Sequence, residues 1–499
     1  MTPTRALARN TLWNLVGQAA PMMAALVALP PVLHSLGTAR FGVLTLFWLI
    51  VGYFSLFDLG LGRAVTQLVA HRMGTGDERS IGPVIWTAQM LMAGLGVVGG
   101  CVLALVAPLL ARHLLKVPPA LQAEAELSFR VIALAVPAVI VSTGLRGVLE
   151  ARQLFRGVNL VRCATGLATF LGPLALVPLR PTLVSVAVVL VVSRYLTTLA
   201  FVPLCLRALP QLRRFRVDGR EARGLFRFGG WITVSNVISP VMVNIDRLFI
   251  GAIISMAAVS YYATPFEIVT KITILPGALV TTLFPAFASA GGRGRPQEAW
   301  ALLERGLRYV FVAVFPIALV VVLFARPLLA LWLGSDFAVH AAPLLKVLAI
   351  GVFCNSLAYV PAAFIQAVGR PDLTAKLHVI ELPLYLAALY ALARGLGVEG
   401  VAVASALRVL LDLVLLCVAS RAALPGSARW GVFVAALVAA LATLILGAFG
   451  GILATLAAST CGLGILAWLA ALLVPRMDRR VSPVIPDSAP LLTHRPTDD

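Results

Sequence analysis

The sequence predicts an all-α polytopic membrane protein, with two six-helix bundles related by internal pseudo-symmetry and two further C-terminal helices, 14 transmembrane helices in all. Three observations indicate this fold. Hydrophobic residues make up 60% of the 499 residues, charged residues only 12%, and the mean hydropathy is +0.97, which excludes a soluble globular protein. Apolar stretches of about 20 residues, long enough to cross a bilayer, recur along the chain. A basic segment, residues 207–227, lies between the sixth and the seventh of them.

The basic segment contains seven arginines but only two acids, Asp218 and Glu221. A net charge of +19 invites comparison with nucleic-acid-binding proteins. However, the basic residues lie in short connections between apolar stretches, which is typical of cytoplasmic loops in membrane proteins. We therefore predict a cytoplasmic linker here and no nucleic-acid partner. The arginines are residues 207, 213, 214, 216, 220, 223 and 227.

Fourteen apolar stretches have the length of a membrane helix, and the loss of one hairpin would leave twelve as the alternative. They divide the chain into an N-terminal bundle (1–206), the linker (207–227), a C-terminal bundle (228–421), an extra helix pair (430–474) and a tail (475–499). The tail is polar and proline-rich, and we expect it to be disordered. The predicted spans are 11–33, 41–62, 83–110, 127–149, 160–179, 182–206, 228–252, 257–285, 307–333, 343–368, 377–396, 399–420, 430–449 and 452–474.

The distribution of positive charge predicts the orientation of the chain. With a cytoplasmic N-terminus, 27 of the 40 lysines and arginines fall in cytoplasmic segments and 5 in the opposite loops. This ratio predicts that both termini are cytoplasmic. Arg5 and Arg9 precede the first apolar run, as in a signal peptide. The run of residues 11–33 is too long for a signal peptide, and we interpret it as a spanning helix.

The sequence contains no pattern that indicates catalysis or metal binding. The six cysteines lie in apolar stretches and form no close pair, so we expect neither a disulfide framework nor a metal site. The longest outer loop, residues 111–126, has Glu124 and Glu126 as its acids and lacks a nucleophile–base pattern. We therefore expect a protein that is not an enzyme and has no cofactor.

The two halves repeat weakly around the basic linker. Pro21 is expected to break the first span and Pro240 the seventh, 219 residues later. Phe41 and Tyr261 open the second and the eighth spans at almost the same offset. Many transporters are built from such repeats, with the substrate site between them near the bilayer midplane. We therefore expect a substrate site between the halves.

Three segments resemble a known family. They are residues 36–70 (LGTARFGVLTLFWLIVGYFSLFDLGLGRAVTQLVA), residues 227–268, in which Asp246 precedes a small-residue turn and a pair of tyrosines, and residues 367–407. These segments resemble the Wzx-type polysaccharide flippases of the MOP superfamily. The likeness covers about residues 1–420, and its motifs are diffuse patterns that are less strict than a P-loop.

The resemblance implies a transporter that works by alternating access. Its substrate would be a repeat unit of O-antigen, capsule or exopolysaccharide, linked to polyprenyl pyrophosphate and moved from the inner to the outer leaflet. The implied location is a bacterial cytoplasmic membrane. The implied partners are the lipid-linked oligosaccharide and membrane lipids, with polysaccharide polymerase or export machinery as a further candidate.

Three alternative functions remain open at this stage. A drug or cation antiporter of the MATE type usually has an acid in its first helix, and residues 11–33 contain none. A lipid II flippase usually has arginines in its first helices, and the same residues contain none. A membrane glycan polymerase or ligase would need a larger outer loop with acid and base groups than this sequence provides.

Charged residues within the apolar spans are the candidate site residues, because each costs at least about 2.5–3.5 kcal/mol to insert. Arg194 lies about 12 residues, roughly 18 Å, into the sixth span, with no acid within a turn. Lys271 lies near mid-depth in the eighth span, four residues after Glu267. We expect Arg194 and Lys271 to contact a pyrophosphate or an acidic sugar. The alternatives are an ion pair of Arg194 with Glu381 or Asp246, and an ion pair of Lys271 with Glu267.

Two further groups of charges could contact the substrate. Asp246 and Arg247, near Asn244 on the seventh span, point about 100° apart around the helix. Asp58, near the inner end of the second span, is a candidate partner of Arg63.

The last candidates lie on the eleventh and twelfth spans. Arg408, like Glu267, is a candidate substrate contact, although its spacing favours an ion pair with Asp412, four residues later. Glu381 and Asp412 are the candidate coupling-ion residues. The acids among the deep charges balance the bases, so the sequence does not predict a strongly cationic cavity. Four other bases near span ends are expected to snorkel toward the membrane surface, namely Arg130, Arg146, Arg326 and Lys346.

Overall fold

The structure is a computed structural model that describes two stretches of the chain, residues 3–222 and 242–465. Short gaps within them are residues 55–60, 75–76, 78–79, 153, 180, 425–429, 452–453, 455–456 and 463. The regular structure of the described residues is helical throughout. Within these residues, nine helices are long and apolar enough to cross a membrane. The chain is therefore an all-α, multi-pass membrane protein.

The helices follow one another through short connections. In the N-terminal half they are α1 (Pro3–Phe54), α2 (Leu61–Gly74), α3 (Ile81–Leu109), α4 (Gln122–Ala133), α5 (Ala135–Ala151), α6 (Phe155–Leu176) and α7 (Leu183–Ala208). In the C-terminal half they are α8 (residues 242–253), α9 (Met256–Val269), α10 (Ile274–Gly292), α11 (Pro296–Leu333), α12 (Ser335–Ala367), α13 (Pro371–Ala423) and α14 (Trp430–Phe449).

Two of these helices contain two predicted spans each. The backbone of α1 turns at Gly37, where φ is 75°, and that of α13 turns at Gly397, where φ is 64°. Both values lie in the left-handed region, which glycine reaches without a steric penalty. Each glycine therefore replaces the loop that the sequence predicted at that place. The total of fourteen spans stays a prediction, because most of residues 452–474 lie outside the described residues.

The structure corrects three sequence-based expectations about helix ends. The first span is not broken at Pro21, because α1 continues through it, and its ring packs against Gly166 of α6. Membrane helices tolerate proline when neighbouring helices or side chains form hydrogen bonds with the backbone groups that proline leaves unpaired. The predicted connections after the second and the eighth spans are partly helical, since α2 extends to Gly74 and α11 begins at Pro296. Pro240, the partner of Pro21 in the predicted repeat, lies outside the described residues.

The two halves meet at one end of the bundle, where α1 restarts after Gly37 and α9 begins. A Cβ atom on Gly42 would lie 1.9 Å from the carbonyl oxygen of Met256, so only glycine allows this approach. A second contact between the halves is the hydrogen bond that the indole nitrogen of Trp332 donates to the carbonyl of Leu26 at 2.7 Å. These contacts connect the halves directly.

The linker packs against the opposite end of the N-terminal half. The indole nitrogen of Trp86 on α3 donates to the carbonyl of Leu212 at 3.2 Å. The hydroxyl of Thr87 accepts from the backbone N–H of Asp218 at 3.0 Å. Arg72 on α2 forms a 2.7 Å ion pair with Glu221. The described part of the linker therefore has a defined position against α2 and α3.

Candidate functional site

Three arginines of the N-terminal half line one cavity of about 340 Å³, here called the N-half cavity. It is lined by the second part of α1 and by α5, α6 and α7. Arg146 comes from α5, Arg162 from α6 and Arg194 from α7. A cluster of guanidinium groups favours the binding of an anion.

Two of these arginines correct the sequence analysis. Arg162 was counted with the cytoplasmic bases because the predicted fifth span begins only at residue 160, but α6 begins at Phe155 and carries Arg162 about two turns into the helix. Arg146 was expected to snorkel, but its side chain faces the cavity, with its Nε 3.4 Å from a carboxylate oxygen of Glu150. Both were excluded from the count of deep charges, so that count missed the positive character of this cavity.

Hydroxyl groups surround the arginines of the N-half cavity. Arg194 donates to the hydroxyl of Thr169 on α6 at 3.0 Å. The described ion pairs include none with Arg194, so the alternative that it pairs with Asp246 or Glu381 is wrong. The other hydroxyls that line the cavity belong to Ser142, Thr143, Thr165 and Thr197. They can donate to and accept from a polar ligand.

A second cavity of about 540 Å³, here called the central cavity, lies between the two halves. Its lining comes from α1 and α6 on one side and from α9 to α10 on the other. Arg162, Trp48 and Phe170 line both this cavity and the N-half cavity, so the two spaces adjoin. Lys271 and Glu267 line the central cavity from the C-terminal half.

Glu267 bridges two cations at the wall of the central cavity. Its carboxylate accepts from Arg247 at 2.7 Å and lies 3.6 Å from the ammonium of Lys271. Arg247 is only 2% exposed, and its guanidinium also stacks over the ring of Phe266 at 5.3 Å. Glu267 is therefore mainly the counter-ion of a buried arginine, while Lys271 remains partly exposed to the cavity.

Asp246 has a different environment from its neighbour Arg247, because adjacent residues point about 100° apart around α8. Its buried carboxylate accepts hydrogen bonds from the hydroxyls of Tyr262 on α9 and Tyr385 on α13. These bonds connect α8, α9 and α13. Asn244 is half-buried on α8, and Asp58 lies outside the described residues.

An acidic cluster lies in the C-terminal half. It consists of His378, Glu381 and Asp412. Each offers one atom that could bind an ion, and these three atoms lie within 4.8 Å of one another. His378 and Asp412, with Arg408, also line a cavity of about 360 Å³, here called the C-half cavity. Glu381 is 1% exposed, and neither of its carboxylate oxygens has a hydrogen-bond partner among the described residues.

The expected ion pair between Arg408 and Asp412 is wrong. The Asp412 carboxylate lies 3.7 Å from the His378 ring nitrogen, whereas the Arg408 guanidinium stacks over the ring of Tyr385 at 5.2 Å. Helical spacing places Arg408 and Asp412 near each other but does not set their rotamers, and each finds a partner on the first part of α13. Sequence reasoning missed His378, three residues before Glu381 on the same helix.

Two other bases that were expected to snorkel have direct partners. Lys346 on α12 donates to the carbonyl of Ala448 on α14 at 2.9 Å. Arg130 forms a 2.7 Å ion pair with Glu126, one turn earlier on α4. The first contact joins α12 to α14, the second lies within α4, and both lie outside the described cavities.

The charges that balance in the sequence are thus only partly paired in space. The N-half cavity and the adjoining wall of the central cavity carry Arg146, Arg162, Arg194 and Lys271. Glu150 lies beside Arg146, and Glu267 is shared between Arg247 and Lys271. The other deep acids lie elsewhere, because Asp246 faces two tyrosines while Glu381 and Asp412 belong to the cluster of the C-terminal half. One half can therefore bind an anion while the other holds a cation or protons.

Comparison with known proteins supports this architecture. The model of a family described as polysaccharide biosynthesis protein matches residues 7–290, and a second, MatE, matches residues 232–391. A protein named as an O-antigen transporter of Shigella flexneri is 30% identical over 82% of this chain and 96% of its own length. A low-salt glycan biosynthesis flippase of Haloferax volcanii is 24% identical over 39% of this chain and 41% of its own.

Solved structures share the fold. The lipid II flippase MurJ in an inward closed conformation superimposes with a TM-score of 0.70 at 11% identity, covering 94% of this chain and 100% of its own. A multidrug resistance MATE transporter of the MOP superfamily, facing inward, gives 0.68 at 17% identity, covering 82% of this chain and 97% of its own. On the extent of the family match and the identity to the Shigella relative, this chain belongs to the polysaccharide biosynthesis protein family and has the fold of MOP superfamily transporters.

Proposed function

We propose that this chain moves an oligosaccharide linked to polyprenyl pyrophosphate from the inner to the outer leaflet of a bacterial cytoplasmic membrane. One observation carries the proposal: three arginines line a cavity in the N-terminal half that adjoins the space between the halves. A pyrophosphate within the bilayer needs cationic partners, because water is scarce there and unpaired charge is costly. Relatives named as an O-antigen transporter and a glycan biosynthesis flippase support this substrate class.

The proposed headgroup site extends from the N-half cavity into the central cavity. Arg146, Arg162 and Arg194 would hold the pyrophosphate, since guanidinium groups form paired contacts with phosphate oxygens. Lys271 would contact the same group from the other half. A cation from each half would hold the headgroup while the halves rearrange, as alternating access requires.

The proposed coupling site lies in the C-terminal half. An ionised carboxylate buried without a partner is unfavourable by several kcal/mol, so Glu381 is stable when it carries a proton or faces a cation. Asp412 and His378 lie within reach to share that cation or proton. We propose that loading of this cluster drives the transport cycle, and that Asp246 with its two tyrosines conveys the change to α8 and α9.

This coupling role predicts a specific defect for Glu381→Gln. The amide retains the size of the side chain but can neither release a proton nor pair with a cation. Transport driven by an ion gradient should fall to the rate of passive exchange, while binding of inorganic pyrophosphate stays unchanged. The measurement is uptake by proteoliposomes with and without an imposed proton or sodium gradient. Gradient-driven transport by the variant at the wild-type rate would remove Glu381 from the coupling mechanism.

A second candidate function is ion-coupled export of a small cation, as in MATE transporters. The match of residues 232–391 to the MatE family and the acidic cluster favour it. The arginines of the N-half cavity argue against it, because they would repel a cationic substrate. Binding assays with the purified protein separate the two: we expect binding of inorganic pyrophosphate and none of a cationic dye.

The function itself is tested in cells and in vesicles. A strain that lacks this chain should accumulate one lipid-linked oligosaccharide on the inner leaflet, and mass spectrometry would identify that glycan. Purified protein in vesicles should expose the same molecule on the opposite leaflet and leave it chemically unchanged. Formation or hydrolysis of a glycosidic bond by the purified protein would contradict the proposal.

A further inference from the structure

An apolar groove of about 520 Å³ lies between α6 and α7 and is here called the lateral groove. Leu160 of α6 and Leu196 of α7, each 60% exposed, lie along it. Ala164, Ala168 and other small or β-branched residues form the rest of its lining. Exposed apolar side chains are ordinary on a membrane-spanning protein, so exposure alone indicates only contact with lipid.

What distinguishes this groove is its contact with the N-half cavity. Thr165 of α6 and Thr197 of α7 line both spaces. Their hydroxyl oxygens lie 2.6 Å apart and form a hydrogen bond across the boundary between the two helices. On one side of this pair lie the arginines, and on the other side lies a surface that faces hydrocarbon.

The threonine pair can separate without leaving an unsatisfied donor. The Thr165 hydroxyl lies 2.8 Å from the carbonyl of Val161, and the Thr197 hydroxyl lies 2.7 Å from the carbonyl of Ser193. Each hydroxyl can therefore donate within its own helix when the pair is broken, so opening avoids the penalty of an unpaired polar group.

The rest of the boundary between the helices is packed more firmly near one end. A Cβ on Gly172 of α6 would lie 2.5 Å from the side chain of Val189 on α7, which shows direct contact there. Toward the other end, a Cβ on Gly157 would lie 3.5 Å from Leu204, an ordinary van der Waals distance. The threonine pair lies between these two contacts, near the middle of both helices.

We infer that the apolar chain of the lipid-linked substrate leaves the N-half cavity between α6 and α7, past Thr165 and Thr197, and lies in the lateral groove. This inference rests on the proposed function, because it requires an anionic headgroup at the arginines. A lipid of this class has a charged headgroup joined to a long apolar chain. The adjoining polar cavity and apolar groove match both parts, so the chain stays in hydrocarbon while the headgroup is bound.

Filling the groove tests the inference on the full-length protein in lipid nanodiscs. Ala164→Trp places a large ring in the groove, and Ala175→Trp is the matched control. Ala175 is exposed on the same helix three turns further along and lies outside the groove lining. The probes are polyprenyl pyrophosphate and inorganic pyrophosphate. We expect Ala164→Trp to weaken binding of polyprenyl pyrophosphate at least about tenfold and to leave inorganic pyrophosphate unaffected.

The same assay separates failure of the inference from failure of the proposed function. Arg162→Ala should weaken binding of both probes. If Ala164→Trp binds polyprenyl pyrophosphate as the wild type does, the chain does not occupy the groove, and only ordinary membrane lipid covers it. If the wild type binds neither probe, the proposed headgroup site is itself wrong. Retained binding of inorganic pyrophosphate by the tryptophan variant establishes that it is folded.

A covalent lock provides a second test that does not depend on side-chain size. Thr165→Cys with Thr197→Cys, in a chain whose six native cysteines are replaced, should form a disulfide on oxidation because the two hydroxyls already touch. We expect oxidation to stop transport of the lipid-linked substrate and a reducing agent to restore it. Undiminished transport by the oxidised protein would overturn the inference.

Discussion

Arg162 lies two turns into α6 and lines both the N-half cavity and the central cavity, so its side chain is available to a headgroup in either space. Its neighbours differ from those of Lys271, which shares a wall of the central cavity with the carboxylate of Glu267. The two cations should therefore respond differently to substitution.

Arg162→Ala should reduce transport by about tenfold to a hundredfold, because a charge-assisted hydrogen bond contributes roughly 1.5–3 kcal/mol. Arg162→Lys should retain part of the activity, since lysine keeps the charge but lacks the planar fork of donors. The measurement is the rate at which lipid-linked oligosaccharide reaches the outer leaflet of vesicles. Arg156→Ala, on the same helix but outside the lining of the described cavities, is the control and should transport normally.

Glu267→Gln should destabilise the protein more than Lys271→Gln. Removing the carboxylate leaves Arg247 buried without its counter-ion, a loss of about 2 kcal/mol, whereas Lys271 is partly exposed and loses little. The measurement is the thermal unfolding temperature of each purified variant. An equal decrease for both variants would contradict this assignment of partners.

The same geometry predicts the outcome of a charge exchange. Glu267→Lys combined with Lys271→Glu should fail to restore transport, because the new ammonium would face Arg247 at the distance of the present 2.7 Å ion pair. If Glu267 and Lys271 were an isolated pair, the exchange would preserve their attraction and restore activity. Transport by the double variant therefore distinguishes a three-residue group from a simple pair.

At the scale of elements, the contact between α1 and α9 is the closest approach of the two halves that the described glycines show. Gly42→Ala should disturb it, because the new methyl group would overlap the Met256 carbonyl at 1.9 Å and force the helices apart. Gly94→Ala on α3 is the matched control, since a Cβ there meets nothing within 4 Å.

We expect Gly42→Ala to lower the transport rate severalfold, while Gly94→Ala leaves it unchanged. The physical reason is that the states of an alternating-access transporter differ by a few kcal/mol, so a clash in one closed state shifts their populations. The measurement is transport in vesicles together with the folded yield of each variant. Normal transport by Gly42→Ala would indicate that this contact is not part of a closed state.

At the scale of the whole molecule, the positive charge of the linker predicts its side of the membrane. Gly219 is exposed with open space around it, and Leu179, in the connection after α6, is 77% exposed. In a cysteine-free chain, Gly219→Cys should react with a membrane-impermeant maleimide only after cells are opened. Leu179→Cys should react in intact cells. The reverse pattern would invert the proposed orientation.

Sequence reasoning predicted the class of protein and its family from broad features. Composition and repeated apolar stretches predict a helical membrane protein, because each backbone polar group within a bilayer needs an internal partner. The resemblance carried by residues 36–70 and 227–268 identified the family, which the match to residues 7–290 confirms. Helix ends were less accurate, and the positions of Pro296 and Phe155 show that helices extend beyond their apolar cores.

The grouping of charges was decided by tertiary structure alone. A membrane helix is apolar on most of its surface, so its sequence lacks the polar face that shows in a soluble helix which side points inward. Depth can be counted from the sequence at 1.5 Å per residue, but rotation about the helix axis cannot. Only the packing of α5, α6 and α7 therefore shows that one cavity contains Arg146, Arg162 and Arg194. In the same way, only the contact between the two parts of α13 places His378 beside Asp412.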